Sequence, residues 1–482
     1  MIVDLPIIVC GELRYPTGLK PAEVIDIEYS GGITIRLPRL TESDIDQILS
    51  SRVLLQDMPL AQITQYISNA GTRWANPADA LRQQAVELAS QVTGYSKEMI
   101  SHDYANVGGY LMFRNNLYDL LDSELGDHHL LEEWTRNQVA KIRAFPRGRV
   151  LHVLVGNVPM AGVFSLVRSI LTKNQTIAKL PARDVVSALK FGRMLLESNP
   201  PDHPVSQTLT IAYWDRDESF YDRIIQASDL VCAWGNGSSL EALKHRLPHS
   251  IPYVEFGPKR SYAVVFADEV DTEAAALRIA HDMSVYDQEA CFSPQRLFVI
   301  GDHQDLVFAL RRKLDEQAEI LPKGASSNDI NAHIVRSRLE ARYHDWEVIE
   351  GADWTLAVSD NPYVTPEHPL ARTLFVHPIS DLSALADLVD DETQTVSVLP
   401  HSRAVEVADF VCSRGAVRVC ETGMVAHFRQ GFTHDGSNPL RTFVRIAHID
   451  ESIEHSYKYG DVWPVKTWET YLFGAHREEQ GA

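Results

Sequence analysis

Cysteine is scarce in this chain of 482 residues: Cys10, Cys232, Cys291, Cys412 and Cys420 are odd in number, widely scattered, and contain no Cys-x-x-Cys. That excludes a disulfide framework and a thiolate zinc cluster, and fits a reducing cytoplasm. Positive charge is also short. The formal net charge of −20 argues against a broad nucleic-acid surface and against docking on anionic lipid, although a local basic pocket can still hold an acidic cofactor. Long hydrophobic runs are missing: the longest, Val150 to Leu171, is broken by His152, Asn157, Pro159 and Arg168 and reads as a core strand and helix, not a membrane span. The first ten residues carry Asp4 and Pro6 without a basic leader, so no signal peptide is expected. There is no internal repeat and no low-complexity tract. Neither Gly-x-Gly-x-x-Gly nor Gly-x-Ser-x-Gly occurs, and Gly237-Ser238-Ser239 lacks the second glycine of a nucleophile elbow, which argues against a serine hydrolase.

What is present is an ordinary globular composition, 45% hydrophobic and 23% charged, in a chain long enough for two or three domains. Residues 32–37 alternate as a short strand, and Thr41 to Asp44 opens a helix with a capping signal. An amphipathic helix follows, capped by Asn76, with Leu81, Ala85, Leu88 and Val92 at helical spacing and Gly94 at its stop. Helical periodicity resumes over 111–121 and over 130–142. His128-His129 beside Asp127 is not expected to bind metal, because adjacent residues face apart on a helix and no partner sits at a chelating interval.

From Val150 short apolar strands alternate with helices: strands over 150–155, 176–180, 208–214, 230–234 and 251–256, with helices between them. This predicts a parallel sheet with crossover helices, a nucleotide-binding architecture whose ligand sits beyond the carboxyl ends of the strands. Gly156-Asn157-Val158-Pro159, Lys179 to Asp184, and Gly235 to Ser239 fall at such ends. Each has a plainer reading as a turn, a surface lysine or a helix cap. Beyond Phe256 the alternation continues, with a helix over 272–283, a helix over 306–318, a polar connection over 324–331 and strands near 373–376 and 396–399.

Cys291 lies in Tyr286-Asp287-Gln288-Glu289-Ala290-Cys291-Phe292-Ser293, between the 272–283 helix and a β-rich run. A thiol in a helix-to-strand connection is reachable, whereas a lone cysteine is more often a small buried apolar residue. Neighbouring motifs decide between these. Gly156-Asn157-Val158-Pro159, Leu171 to Asn174 followed by Lys179, Ala233-Trp234-Gly235, Phe256 to Lys259, the segment around Cys291, Leu321 to Gly324, Thr393-Gln394-Thr395 and His434-Asp435-Gly436 follow one another in order. In that order the chain resembles the aldehyde dehydrogenase superfamily, and more closely the LuxC-type acyl-CoA reductases of bacterial luminescence, from about residue 146 to 445.

The resemblance implies an α/β fold: a Rossmann-type parallel-sheet cofactor domain (150–258), an α/β catalytic thiol domain (259–440), a mostly helical N-terminal region packing on the cofactor domain (1–149) and a C-terminal return and oligomerisation segment (441–482). It implies that Cys291 attacks a thioester and carries the acyl group, that Asn157 donates to the oxyanion, and that Glu255 is a general base, a proton relay or a structural residue. Lys179, Arg183, Gly235, Asn236, Ser238 and Glu367 would hold the cofactor. Ala182 stands where NAD-binding relatives often carry a ribose-binding glutamate, and Arg183 follows it, which favours NADPH. The expected activity is NADPH-dependent reduction of an acyl-CoA or acyl-protein thioester to an aldehyde. Expected partners are the thioester, an acyl-protein synthetase and further copies of the chain, with no nucleic acid, metal or membrane span. The alternatives are a cofactor-independent cysteine acyltransferase or thioesterase, an NAD(P)-dependent aldehyde dehydrogenase, and a non-catalytic scaffold.

Overall fold

The computed structural model describes residues 1–51, 55–137, 140–427 and 433–450. Two seven-stranded sheets organise them. The first has the order Tyr253–Phe256, Leu230–Trp234, Arg149–Val153, Gln175–Lys179, Leu209–Ala212, Ile7–Val9, Glu12–Arg14, and its first five strands are parallel. These are the strands expected over 150–256. Leu151, Ile177, Ile211 and Val231 are fully buried, as the middle of a sheet covered by helices on both faces requires. The strand order reverses between Arg149–Val153 and Leu230–Trp234, which opens a crevice at their carboxyl ends.

The N-terminal region is less purely helical than expected. Ile7–Val9 pairs antiparallel with Leu209–Ala212, extending the cofactor sheet, while Ile2–Asp4, Thr34–Pro38 and Val24–Glu28 form a separate small sheet. Helices Leu60–Ala75 and Lys97–Leu111 cross closely because both contact points are glycine: a Cβ on Gly108 would stand 2.4 Å from the Ala75 nitrogen. Trp74 caps this packing against Tyr104 and Phe191, at ring distances of 4.5 and 5.5 Å. The 80–93 helix begins at Asp79, whose carboxylate accepts from Leu81 and Arg82, not at Asn76, and it stops at left-handed Gly94 as expected. The helix expected over 130–142 is instead a 3-10 turn, His128–Leu131, followed by strands Thr135–Arg136 and Ala140–Pro146. Ala140–Pro146 pairs along its whole length with Val444–Asp450, so a partner from the far end of the chain overrides local periodicity. The rest of the expected oligomerisation segment, 451–482, lies outside the described residues.

The second sheet has the order Glu347–Glu350, Thr355–Val358, Thr373–Ile379, Pro294–Ile300, Arg260–Phe266, Thr393–Leu399, Arg418–Glu421. The connection expected over 324–331 ends in a long helix, Asn328–Tyr343, capped by Ser327. Before Pro294–Ile300 three consecutive non-glycine residues, Tyr286, Asp287 and Gln288, adopt φ of 52°, 47° and 65°; Leu370, Ala371 and Arg372 do the same at 57°, 51° and 61°. Each costs about 1–2 kcal/mol as an L-residue, so the two turns need support, and they supply it to one another. Arg372 Nε donates to Asp287 Oδ1 at 2.6 Å, the Gln288 amide donates to the Thr373 and Pro294 carbonyls at 2.8 and 2.9 Å, and Thr373 N–H donates back to Gln288 at 2.6 Å. Cys291 follows this clasp by three residues and lines a cavity with residues of the first sheet.

Arg372 is 1% exposed and Asp287 10%. Removing one partner leaves a buried charge alone, so Arg372→Met is expected to destabilise the protein by about 3–5 kcal/mol. Urea unfolding measures this, and Asp287→Asn added to Arg372→Met is expected to recover part of the loss.

Candidate active site

Cys291 sits between the 3-10 turn Val285–Gln288 and strand Pro294–Ile300, at the amino edge of the second sheet and facing the carboxyl edge of the first. Its carbonyl accepts from the Ser261 hydroxyl at 2.7 Å, and that hydroxyl accepts from Thr395 N–H at 3.1 Å, so two neighbouring strands fix its backbone. The Gln394 amide donates to Cys291 Sγ at 3.2 Å and to Asp435 Oδ1 at 2.7 Å. Burial, followed by the Asp435 carboxylate, pushes the thiol up to about 11; the Gln394 amide and the backbone N–H groups of Cys291 and Phe292 act the other way. At neutral pH the resting group is therefore the thiol.

A raised thiol pKa means that the thiolate fraction grows as pH climbs toward that value. Alkylation of Cys291 by iodoacetamide is expected to be about a hundredfold slower at pH 7 than that of an ordinary free thiol, and still rising above pH 9. A rate that levels off near pH 8 would contradict this environment.

Asn157 reaches the same space from the end of strand Arg149–Val153. Gly156 lets the turn approach the next strand end, since a Cβ there would stand 2.8 Å from the Arg183 Cβ. The Asn157 side-chain amide donates to the Glu289 carbonyl at 2.8 Å, and its backbone carbonyl accepts from the Tyr95 hydroxyl at 2.7 Å. An amide has two N–H donors, so one remains for a developing oxyanion.

Cys291 and Asn157 line one cavity of about 530 Å³, walled by Phe164, Trp234, Phe256 and Phe292. A second cavity, also about 530 Å³, lies over the carboxyl ends of the first sheet, and the two share Val155, Trp234, Gly235 and Asn236. Lys179 lines the second cavity, its ammonium 5.4 Å from the Tyr213 ring and 5.6 Å from the Trp214 ring. Burial, then the neighbouring Arg216, brings Lys179 down to about 8. Arg216 and Arg246 line this cavity as well, with Asp215 as the carboxylate among them and Arg246 paired to Asp222 at 2.7 Å. Asn236 caps helix Gly237–Lys244, so the end of that helix also faces the crevice.

The structure thus brings Cys291, Asn157, Lys179, Gly235 and Asn236 together and leaves four expected residues apart. Ser238 is exposed and bonded to Asn236, while Ser239 faces the second cavity and accepts from Arg216 at 2.9 Å. Arg183 is bound to Glu289 and lies over the Tyr95 ring, outside that cavity. Its charge is neutralised by Glu289, and the cation that lines the second cavity in its stead is Arg216. Glu255 is 43% exposed, 3.7 Å from Lys244, and absent from the walls of the thiol cavity. Strand alternation explains this, because buried Phe256 takes the inward position and turns Glu255 out. Glu367 is a surface residue paired with Arg336 at 2.5 Å. Sequence reasoning assigned no role to Gln394, Asp435 or Arg216; Gln394 and Asp435 stood within motifs that carried the resemblance. The His128–His129 reading also changes, because on the 3-10 turn the two rings stand 4.1 Å apart and their ligand atoms cluster with that of Asp127 within 4.8 Å. Both imidazoles are already bonded to carboxylates, of Asp122 and Asp127. Among the described residues no helix is long and apolar enough to cross a membrane.

A profile of the acyl-CoA reductase (LuxC) family matches residues 55–446. A long-chain acyl-protein thioester reductase of Aliivibrio fischeri is 32% identical over 440 residues, covering 90% of this chain and 91% of the relative. One from Photorhabdus luminescens is 33% identical over 425 residues, covering 87% and 88%. Among solved structures, an indole-3-acetaldehyde dehydrogenase of P. syringae in complex with NAD+ superposes with a TM-score of 0.73 at 14% identity, covering 94% of this chain and 97% of that one. An NADP-dependent glyceraldehyde-3-phosphate dehydrogenase of Bacillus halodurans gives 0.67 at 17%, covering 93% and 100%. The fold is therefore that of the aldehyde dehydrogenases, and by its family profile and its relatives the chain belongs to the LuxC family of acyl-CoA reductases, aldehyde-forming oxidoreductases.

Proposed function

We propose that this protein is a cytoplasmic, homo-oligomeric reductase that takes a long-chain acyl group from an acyl-protein or acyl-CoA thioester onto Cys291 and releases it as an aldehyde, using NADPH. The observation that carries this reading is that the thiol cavity and the crevice over the first sheet are immediate neighbours, both lined by Val155, Trp234, Gly235 and Asn236. The relatives' substrate, a protein-bound thioester, also argues for an acyl-protein synthetase as the donor.

The residues divide the work. Cys291 attacks the thioester carbonyl, Asn157 holds the oxyanion, and the carrier thiol leaves with a proton, giving acyl-Cys291 and free carrier thiol. Because the resting group is a thiol, its proton needs an acceptor. With Glu255 turned to solvent, we assign that role to Asp435, which accepts from the same Gln394 amide that donates to the sulfur. Lys179, Arg216, Gly235 and Asn236 would hold a nicotinamide dinucleotide in the crevice, and that group, when bound, would supply hydride for the acyl carbon. The Cys291 sulfur then departs from that carbon and regains a proton, which its raised pKa favours.

Two cations, Lys179 and Arg216, line the crevice against one carboxylate, Asp215, and Ala182 adds none, which supports a 2′-phosphate there. NADPH is expected to exceed NADH at least tenfold in kcat/KM, and Arg216→Ala to lower that ratio about tenfold. Equal use of the two cofactors by the wild type would contradict it. The activity itself is tested by mixing protein, NADPH and a panel of acyl-CoAs and following absorbance loss and aldehyde together.

A further inference from the structure

The cavity that holds Cys291 follows one face of helix Pro159–Leu171, where Met160, Ala161, Phe164 and Arg168 all line it. From Met160 to Arg168 the axis advances about 12 Å, at ~1.5 Å per residue. The near end belongs to the reaction centre: Met160 Sδ accepts from the Tyr286 hydroxyl at 3.0 Å, and Asn157 stands just ahead of the helix. The far end is not apolar. There Arg168 and Glu124, from helix Arg114–Leu125, both line the wall.

Neither group is completed by its neighbours. Among the described residues the Arg168 guanidinium forms no ion pair or hydrogen bond; its contact is the Phe256 ring, 5.9 Å away. Glu124 is 1% exposed; its Oε2 accepts from Leu440 N–H at 2.7 Å, but its Oε1 has no partner. A buried carboxyl oxygen and a cation that face the same space without bonding each other are costly unless something joins them. A hydrocarbon tail cannot do so. A hydroxyl or an amide can, accepting from Arg168 while donating to Glu124 Oε1.

We propose that this end of the cavity is a polar subsite for a hydroxyl or amide of the substrate, lying about ten carbon–carbon bonds from the thioester carbonyl, since a zigzag chain advances ~1.25 Å along its axis per bond. The group comes either from a hydroxylated acyl chain or from the amides of a pantetheine-type arm. The inference rests on Cys291 being the acyl acceptor.

The test compares kcat/KM for decanoyl-CoA, 10-hydroxydecanoyl-CoA and the propanethiol ester of decanoate, which has no amide, in wild type, Arg168→Met and Glu124→Gln. If the subsite reads the chain, the hydroxylated substrate is favoured at least tenfold over decanoyl-CoA in the wild type, and both variants erase the preference. If it reads the arm, decanoyl-CoA is favoured at least tenfold over the propanethiol ester, and both variants erase that instead. Should both ratios survive in either correctly folded variant, the subsite does not exist. Aldehyde formed without either preference overturns this inference alone, whereas no aldehyde from any thioester overturns the underlying function.

Discussion

Replacing Cys291 with alanine is expected to lower aldehyde formation from any acyl thioester by at least about 10⁴-fold, because the variant has no atom to carry the acyl group. The loss should fall on chemistry and not on cofactor affinity. Lys179, Arg216 and the Asn236-capped helix lie in the second cavity, which Cys291 does not line. NADPH binding by the variant, followed by fluorescence, should therefore match the wild type. The backbone also has reason to stay in place, since Ser261 bonds the Cys291 carbonyl and the Asp287–Arg372 clasp involves no atom of the side chain. A variant that still made aldehyde at more than a few per cent of the wild-type rate would move the nucleophile elsewhere.

Asn157→Ala carries the second large effect. Removing one oxyanion donor costs about 3 kcal/mol, roughly a hundredfold in the acylation rate. It also strips the Glu289 carbonyl of its 2.8 Å partner. Binding and chemistry separate here too: kcat should fall about a hundredfold while the KM for NADPH changes little. Asn157→Asp is expected to fare no better, because an ionised carboxylate cannot donate and would repel the developing charge. If Asn157→Ala lowered the rate less than tenfold, the backbone N–H of Cys291 alone would be holding the oxyanion.

The legible parts of this molecule were those whose cause is local. The strands over 150–256 are covered on both faces by their own crossover helices, so burial writes a continuous apolar run into each. The helix before Cys291 and the strand after it could be read for the same reason. Ala140–Pro146 could not, because its partner is Val444–Asp450 and the apolar spacing nearby fits a helix equally well. The Asn328–Tyr343 helix hid differently: with only Ile334, Ser337 and Ala341 buried it shows little amphipathic stripe, and Ser327 was its one start signal.

The site divides along the same line. Cys291 and Asn157 stand in compact motifs at element ends, where order along the chain carries the information. Glu255 satisfied its motif and still points away, because the side a strand residue takes is set by pairing, and pairing puts Phe256 inward. Gln394 and Asp435 reach the thiol from segments far along the chain, and only folding brings them beside it. Arg183 and Arg216 show the limit most clearly. Both are cations near predicted cofactor segments, and the choice between them depends on Glu289, which binds one of them.

One measurement bears on all of this: intact and peptide mass of the protein after incubation with a long-chain acyl-CoA, before and after NADPH is added. The account predicts a gain of one acyl group, confined to the peptide containing Cys291, that disappears on adding NADPH as an equal amount of aldehyde forms. Aldehyde produced with no acylated Cys291 peptide at any time, or an acyl group lodged on another residue, would contradict it.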